Sequence, residues 1–199
     1  MTEVRLTDGE GKSAGNIDVV LVAYDETGQI TDFGSLEIQA VYISGNVRDP
    51  FAHYMSDCAG NQAMDWRGEP NYPRPDFLSS SRKRLAPQLM FKGGILNAWK
   101  KKMAVALDAP FFNTLPALKE VPKEQADMAW LVYELIPDSL GRLKIAHSKT
   151  VYTEFNEALN TISRPTIGKV DDFLKILQSK VDEKLESAPS NQTIDHPFK

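Results

Sequence analysis

The chain has almost none of the residues from which soft metal cages and disulfide frameworks are built. It carries one cysteine, Cys58, and three histidines among 199 residues. A single cysteine excludes an intrachain disulfide and a multi-cysteine zinc site. Cys58, at the end of the run His53-Tyr-Met-Ser-Asp-Cys58, therefore reads as an ordinary loop thiol. Long apolar runs are missing as well: nothing approaches the roughly 20 apolar residues that cross a bilayer. The opening Met1-Thr-Glu-Val-Arg5 lacks the basic and apolar regions of a secretory leader, so a cytoplasmic protein is expected. There are no internal repeats.

Net positive charge is also lacking, since 23 basic residues face 27 acidic ones for a net charge of −4. Taken alone, that balance argues against a nucleic-acid partner. The distribution reverses the argument. From Phe77 to Leu107 there are seven basic residues (Arg82, Lys83, Arg84, Lys92, Lys100, Lys101 and Lys102) and no acidic one, which leaves 16 basic against 27 acidic residues elsewhere. The molecule is electrically polarised, and its basic segment, about 79–102, suits phosphate.

What is present is a core-forming composition, 42% hydrophobic and 25% charged, expected to fold as one α/β domain over 1–188 followed by a polar tail over 189–199. Ile17-Asp-Val-Val-Leu-Val-Ala-Tyr24 and Gly34-Ser-Leu-Glu-Ile-Gln-Ala-Val-Tyr-Ile43 are β-branched apolar runs separated by the turn formers Asp25-Glu-Thr-Gly-Gln29, the pattern of an antiparallel hairpin. Thr2 to Leu6 predicts a short strand before it. Residues 45–81, with Pro50, Pro70, Pro73 and Pro75 and no clear periodicity, read as a long irregular excursion. Pro87 suits the first turn of a helix running to about Lys101, followed by a strand over Met103–Leu107. Ala129–Leu135 and Arg142–Ala146 read as strands, and Thr153–Ile162 and Lys169–Leu185 as helices.

The hairpin places acids together. With Thr27-Gly28 as a two-residue turn, Asp18 lies opposite Glu37 and Asn16 opposite Gln39, each pair on one face with Cβ atoms about 5 Å apart. Opposed carboxylates repel unless a cation sits between them, and Mg²⁺, at about 2.1 Å from each oxygen, suits that gap. A type I turn over Asp25–Gly28 with a bulge would instead face Asp18 against Leu36 and spoil the alternation, so the first register is preferred. By spacing alone, an Asp followed by Glu-x-Gln is a pattern of low specificity, equally read as polar residues on a solvated hairpin face.

A longer match adds to it. Arg74-Pro-Asp-Phe-Leu-Ser-Ser-Ser-Arg-Lys-Arg-Leu-Ala-Pro-Gln-Leu-Met-Phe-Lys-Gly-Gly-Ile-Leu96, with Asn16-Ile-Asp18 and Leu36-Glu-Ile-Gln-Ala-Val-Tyr-Ile-Ser-Gly45, resembles the catalytic region of the NotI-type restriction endonucleases over nearly the whole chain. The resemblance implies a PD-(D/E)xK core, a mixed central sheet flanked by helices, in which Glu-x-Gln replaces the usual Glu-x-Lys. It maps the metal carboxylates onto Asp18 and Glu37, the third element onto Gln39 and a further active-site acid onto Glu3. Family members carry an upstream region with a cysteine-ligated metal, so this chain reads as a truncated or minimal member.

The expected function is then Mg²⁺-dependent cleavage of double-stranded DNA. A lysine at the third position would stabilise hydroxide by charge, whereas Gln39 positions water through its amide and leaves the deprotonation to the metal. Arg74, Ser79, Ser80, Ser81, Arg82, Lys83, Arg84, Gln88 and Lys92 are the expected DNA contacts, against the alternative of a solvated basic helix face. Cutting both strands of a symmetric site predicts a homodimer, and a cognate methyltransferase would complete a restriction–modification pair. The competing functions are a repair or nicking nuclease and a DNA-binding module without catalysis. Gly11-Lys-Ser13 is no phosphate loop, because the motif's first glycine would fall at Leu6 and a strand follows. Pro75-Asp76 spells the motif's first letters without a Glu-x-Lys or Glu-x-Gln at suitable spacing behind it. His147 and His196 have no evident partners and read as incidental.

Overall fold

The structure, a computed structural model, describes residues 1–68, 72–165 and 167–187. The chain divides into two units, Met1–Arg164 and Pro165–Lys199. Among the described residues of the first lie eight strands: β1 (Thr2–Thr7), β2 (Ser13–Tyr24), β3 (Ile30–Ile38), β4 (Tyr42–Ser44), β5 (Arg74–Asp76), β6 (Met103–Asp108), β7 (Met128–Pro137) and β8 (Leu143–Thr153). Six of them form one mixed sheet in the order β1-β2-β3-β6-β7-β8, and β4 pairs with β5 in a separate ribbon. β1, β2 and β3 make an antiparallel meander; β6 then runs parallel to β3 and β7 parallel to β6, with β8 antiparallel at the far edge. This is the mixed α/β architecture the sequence led us to expect, and it is consistent with a restriction-endonuclease-like fold.

The hairpin reaches the expected register by the other turn. Asp25 O accepts from Gly28 N at 3.0 Å and Asp25 Oδ1 from Thr27 N at 2.9 Å, so the turn spans Asp25–Gly28, with Gly28 at φ +82°. Tyr24 accordingly pairs with Ile30. A one-residue shift between Ala23 and Tyr24 absorbs the difference, and from Ala23–Asp32 to Val19–Leu36 the pairing is the one that brings Asp18 level with Glu37. β3 ends at Ile38, earlier than the run Gly34–Ile43 suggested, and Tyr42–Ser44 leaves to pair with β5.

Parallel strands need a crossover, and the connection from β3 to β6 carries the helix that builds the site. The segment 45–81 is not wholly irregular: it holds a helix at Arg48–Ser56, a single turn at Trp66–Gly68, and β5. Asp76 then caps the crossover helix by accepting from Ser79 N at 2.9 Å, which gives the "Pro-Asp" pair a structural role. That helix starts at Phe77, well before the expected start at Pro87, and continues to Ala98. Pro87 sits inside it, between two widened π turns at Ser81–Leu85 and Leu89–Gly93. Proline removes a backbone donor and crowds the carbonyl four residues before it; widened turns relieve both problems.

One face of the sheet is buried under this helix and under the helix Phe155–Ser163. β6 and the first part of β7 alternate buried with half-buried residues, so Met103, Val105, Leu107, Met128, Trp130 and Val132 point into the core. Leu85, Leu89 and Leu96 come down onto them from the crossover helix, and Phe155 and Ala158 close the layer. A fully buried side chain of this kind contributes about 1.5–3 kcal/mol. The buried indole of Trp130 donates to Thr153 Oγ1 at 3.0 Å. β8 runs on to Thr153, longer than the predicted Arg142–Ala146. The helix Val170–Ser187 belongs to the second unit, where Val170, Phe173, Leu174, Leu177, Val181 and Leu185 are all exposed. The tail from Pro189, with His196, lies outside the described residues. Among the described residues no helix is long and apolar enough to cross a membrane.

Candidate active site

Asp18 and Glu37 meet where the β2–β3 pairing ends. Beyond Val19–Leu36 the next link across the hairpin comes from a side chain: Ile38 N donates to Asp18 Oδ2 at 2.7 Å. This pins the half-buried Asp18 carboxylate to the backbone between Glu37 and Gln39. Glu37 itself is 1% exposed, deeper than a hairpin acid on a solvated face would lie. The ammonium of Lys92, from the crossover helix, donates to Glu37 Oε2 and, at 2.7 Å, to the carbonyl of Asn16. Burial pushes the Glu37 carboxyl above the usual range; the Lys92 contact pulls it back and the neighbouring Asp18 charge adds to the rise.

Glu37 Oε1 is buried with no hydrogen-bond partner, and so is Oε1 of the buried Gln39, whose amide nitrogen donates to Ala40 O at 2.7 Å. An unsatisfied buried acceptor costs on the order of 1–3 kcal/mol, so two such acceptors on neighbouring residues of one strand end demand a donor or a cation. The fit to Mg²⁺ is a matter of donor chemistry. Mg²⁺ is usually held by one or two carboxylates with waters and phosphate oxygens completing its shell. Asp18 and the orphaned oxygen of Glu37 are such a pair, and among the described residues no group of three or more His, Cys, Asp or Glu gathers to cage an ion.

Glu3 does not complete that pair. Thr2 pairs with Val19 and Val4 with Ile17, which sets Glu3 beside Asp18 in register, but its φ is +53° and its carboxylate accepts from Asn16 Nδ2 at 3.2 Å. Asp108, at the end of β6, was not singled out by sequence. Its Oδ1 is buried without a partner and burial raises its carboxyl. With Gln39 it lines a cleft of about 890 Å³ near the ends of β3 and β6, walled by Leu36, Ile38, Tyr133 and Ile145.

The residues expected to touch DNA separate into two groups. Arg82, Lys83 and Arg84 are exposed on the outer side of the crossover helix, with the Arg84 guanidinium 4.3 Å from the centre of the Tyr42 ring, and Arg74 is exposed on β5. Ser79, Ser81 and Gln88 are half-buried. Two do not fit the expectation. Ser80 is fully buried, donating to Asp76 O and accepting from Tyr42 N, so it ties β4 to the helix and shows no surface to a partner. Lys92 is buried against Glu37 and is not part of the exposed basic surface. Further along the basic segment, Lys101 is paired with Asp32 at 2.6 Å. His147 is not without partners, since its Nε2 lies 2.9 Å from Thr150 Oγ1 and its ring meets Tyr133 edge-on. Lys92 was legible in one respect: it falls three residues after Leu89 and four before Leu96, on the apolar stripe.

A family model, Restriction endonuclease NotI, matches residues 1–144. No curated protein matches the chain.

The buried pair predicts an asymmetry in stability. Glu37→Ala strands the Lys92 ammonium and should cost about 3–5 kcal/mol in metal-free urea unfolding, whereas Asp18→Ala, which removes one hydrogen bond at a half-exposed edge, should cost about 1 kcal/mol. Equal losses would contradict the assignment of Glu37 as the buried partner.

Proposed function

The chain belongs to the restriction endonuclease NotI family, and from that premise we propose that it is a Mg²⁺-dependent, sequence-specific double-strand DNA endonuclease working at the Asp18–Glu37 corner of the sheet. Family membership implies DNA as substrate and phosphodiester hydrolysis as reaction. The observation that carries the choice of site is the orphaned Glu37 Oε1, a buried anionic acceptor next to the Asp18 carboxylate. No other pair of acids among the described residues combines burial, proximity and an unmet acceptor.

In this reading Asp18 and Glu37 hold Mg²⁺. When bound, the ion supplies Lewis acidity toward the phosphate and lowers the pKa of a coordinated water. Gln39 orients the attacking water through its neutral amide, which can accept or donate a hydrogen bond but carries no charge. The water gives up a proton to solvent as its oxygen forms the new bond to phosphorus, the bond to the leaving sugar oxygen breaks, and that oxygen takes up a proton from solvent. Glu3 acts one step out, through the Asn16 side chain that it holds. Arg74, Arg82, Lys83 and Arg84 hold the DNA backbone, and their exposure together with the absence of acidic residues from 77 to 107 supports that role. Cutting both strands of a symmetric sequence is the work of a homodimer.

Supercoiled plasmid incubated with the protein and Mg²⁺ should be linearised at discrete positions, and EDTA should stop it. Asp18→Asn and Glu37→Gln, which keep size and hydrogen bonding, should fall to about one hundredth of the wild-type rate or lower while still binding DNA in Ca²⁺. Cleavage by either variant at the wild-type rate would remove the site. The basic surface gives an independent reading: Arg82→Ala/Lys83→Ala/Arg84→Ala should flatten the dependence of log affinity on log salt by up to about 0.9 for each phosphate that is no longer neutralised. An unchanged slope would return these three residues to the solvent.

A further inference from the structure

We propose that Lys92 is the active-site cation of this chain: a positioning residue that supplies from the crossover helix the positive charge which a Glu-x-Gln strand lacks. The proposal rests on the reading of Asp18 and Glu37 given above and assigns a new role within it. Its basis is the three-way junction at the Lys92 ammonium, which touches Glu37 Oε2 on β3 and the Asn16 carbonyl on β2 from a third element. One side chain thus braces the two strands that carry Asp18 and Glu37. It also commits Oε2 of Glu37, which leaves Oε1 as the oxygen that faces a cation.

Stability alone does not explain the arrangement. Replacing a buried ion pair by apolar residues of similar size is commonly neutral or favourable, so a fold has little thermodynamic reason to keep one. The helix around Lys92 is turned against hydrophobicity: Met90 is 53% and Phe91 63% exposed while Lys92 is 6% exposed. The stem runs past Gly15, whose φ of +107° suits glycine alone and whose Cβ, if present, would make ordinary contact with Lys92 Cδ at 3.7 Å. Apolar residues are left in water while an ammonium stands beside Glu37.

A charge placed there has two effects with opposite signs. It repels a divalent ion at the same carboxylate, weakening metal binding in the absence of DNA. It also favours the negative charge that grows on the phosphate oxygens and the attacking oxygen during hydrolysis, raising the rate. A side chain that only fills space has neither effect.

The test uses Lys92→Met, Lys92→Arg, Gln39→Lys and the double variant Gln39→Lys/Lys92→Met. Mn²⁺ affinity is measured by calorimetry without DNA, and single-turnover cleavage at saturating Mg²⁺. Lys92→Met is expected to bind Mn²⁺ about tenfold more tightly yet cleave about a hundredfold or more slowly, while the double variant, with the lysine moved to the strand, recovers at least about tenfold of that loss. Lys92→Arg should retain metal affinity within about threefold of wild type, because the charge stays. A wild-type rate in Lys92→Met would overturn the proposal. So would slower cleavage with weaker Mn²⁺ binding and no recovery in the double variant, the pattern of a packing defect. If Lys92→Met fails to fold, the double variant and Lys92→Arg decide by the same criteria. A wild-type protein that cuts no DNA would defeat the proposed function itself, a result distinct from all of these.

Discussion

The contact between the Lys92 ammonium and the Glu37 carboxylate constrains more of this molecule than any other. Two opposite charges removed from water are tolerated only when each finds a partner, and here the partners come from elements 55 residues apart in the chain. To bring them together, β3 must sit beside β2 in one register, and the crossover helix must lie on the face of the sheet that carries Glu37. Lys92 must also point inward while Met90 and Phe91 point out. The helix cap at Asp76 and the widened turns around Pro87 serve that placement. The ion pair is therefore where fold and chemistry meet: the same residues that brace β2 against β3 leave one Glu37 oxygen unmet.

That junction also explains why the acids are held differently. Asp18 is bonded through one oxygen to the backbone of Ile38 at the rim of the sheet. Glu37 is buried, its carboxyl raised by desolvation and steadied by Lys92. A half-exposed and a buried acid side by side carry more negative charge than the single Lys92 ammonium offsets, and a divalent ion would relieve the excess.

Much of the fold was readable because alternation and helical spacing survive in the sequence. Met103-Ala-Val-Ala-Leu107 and Met128 to Val132 keep period two, since one sheet face is packed and the other is open. The register of the hairpin was also legible, though the turn that produces it was not. Asp25 closes a four-residue turn with its own carboxylate, and a bulge at Ala23 and Tyr24 cancels the offset, a compensation that no residue pattern announces. Pro87 misled because proline marks helix starts more often than interiors, and the widened turns that accommodate it depend on packing. Among the residues expected at the site, the proximity of Asp18 and Glu37 followed from the hairpin. Glu3 lies level with Asp18 in register, and its carboxylate is taken by the Asn16 side chain, a contact that no residue pattern indicates. Ser80 and Lys92 belong to the basic surface by composition alone, which records charge and polarity but not the side of the helix on which each falls. The position of Lys92 on the Leu89 and Leu96 stripe was the available sign.

If a divalent ion sits between Asp18 and Glu37, the polypeptide can be cut at the ion, and that is the most direct test of the site. With Fe²⁺ in place of Mg²⁺, ascorbate and peroxide generate hydroxyl radicals at the bound metal, and the backbone breaks close to it. An ion held by these two acids predicts two breaks, in β2 next to Asp18 and in β3 next to Glu37, suppressed by excess Mg²⁺ and lost in Asp18→Asn. Breaks confined to other segments, or the same breaks in Asp18→Asn, would contradict it.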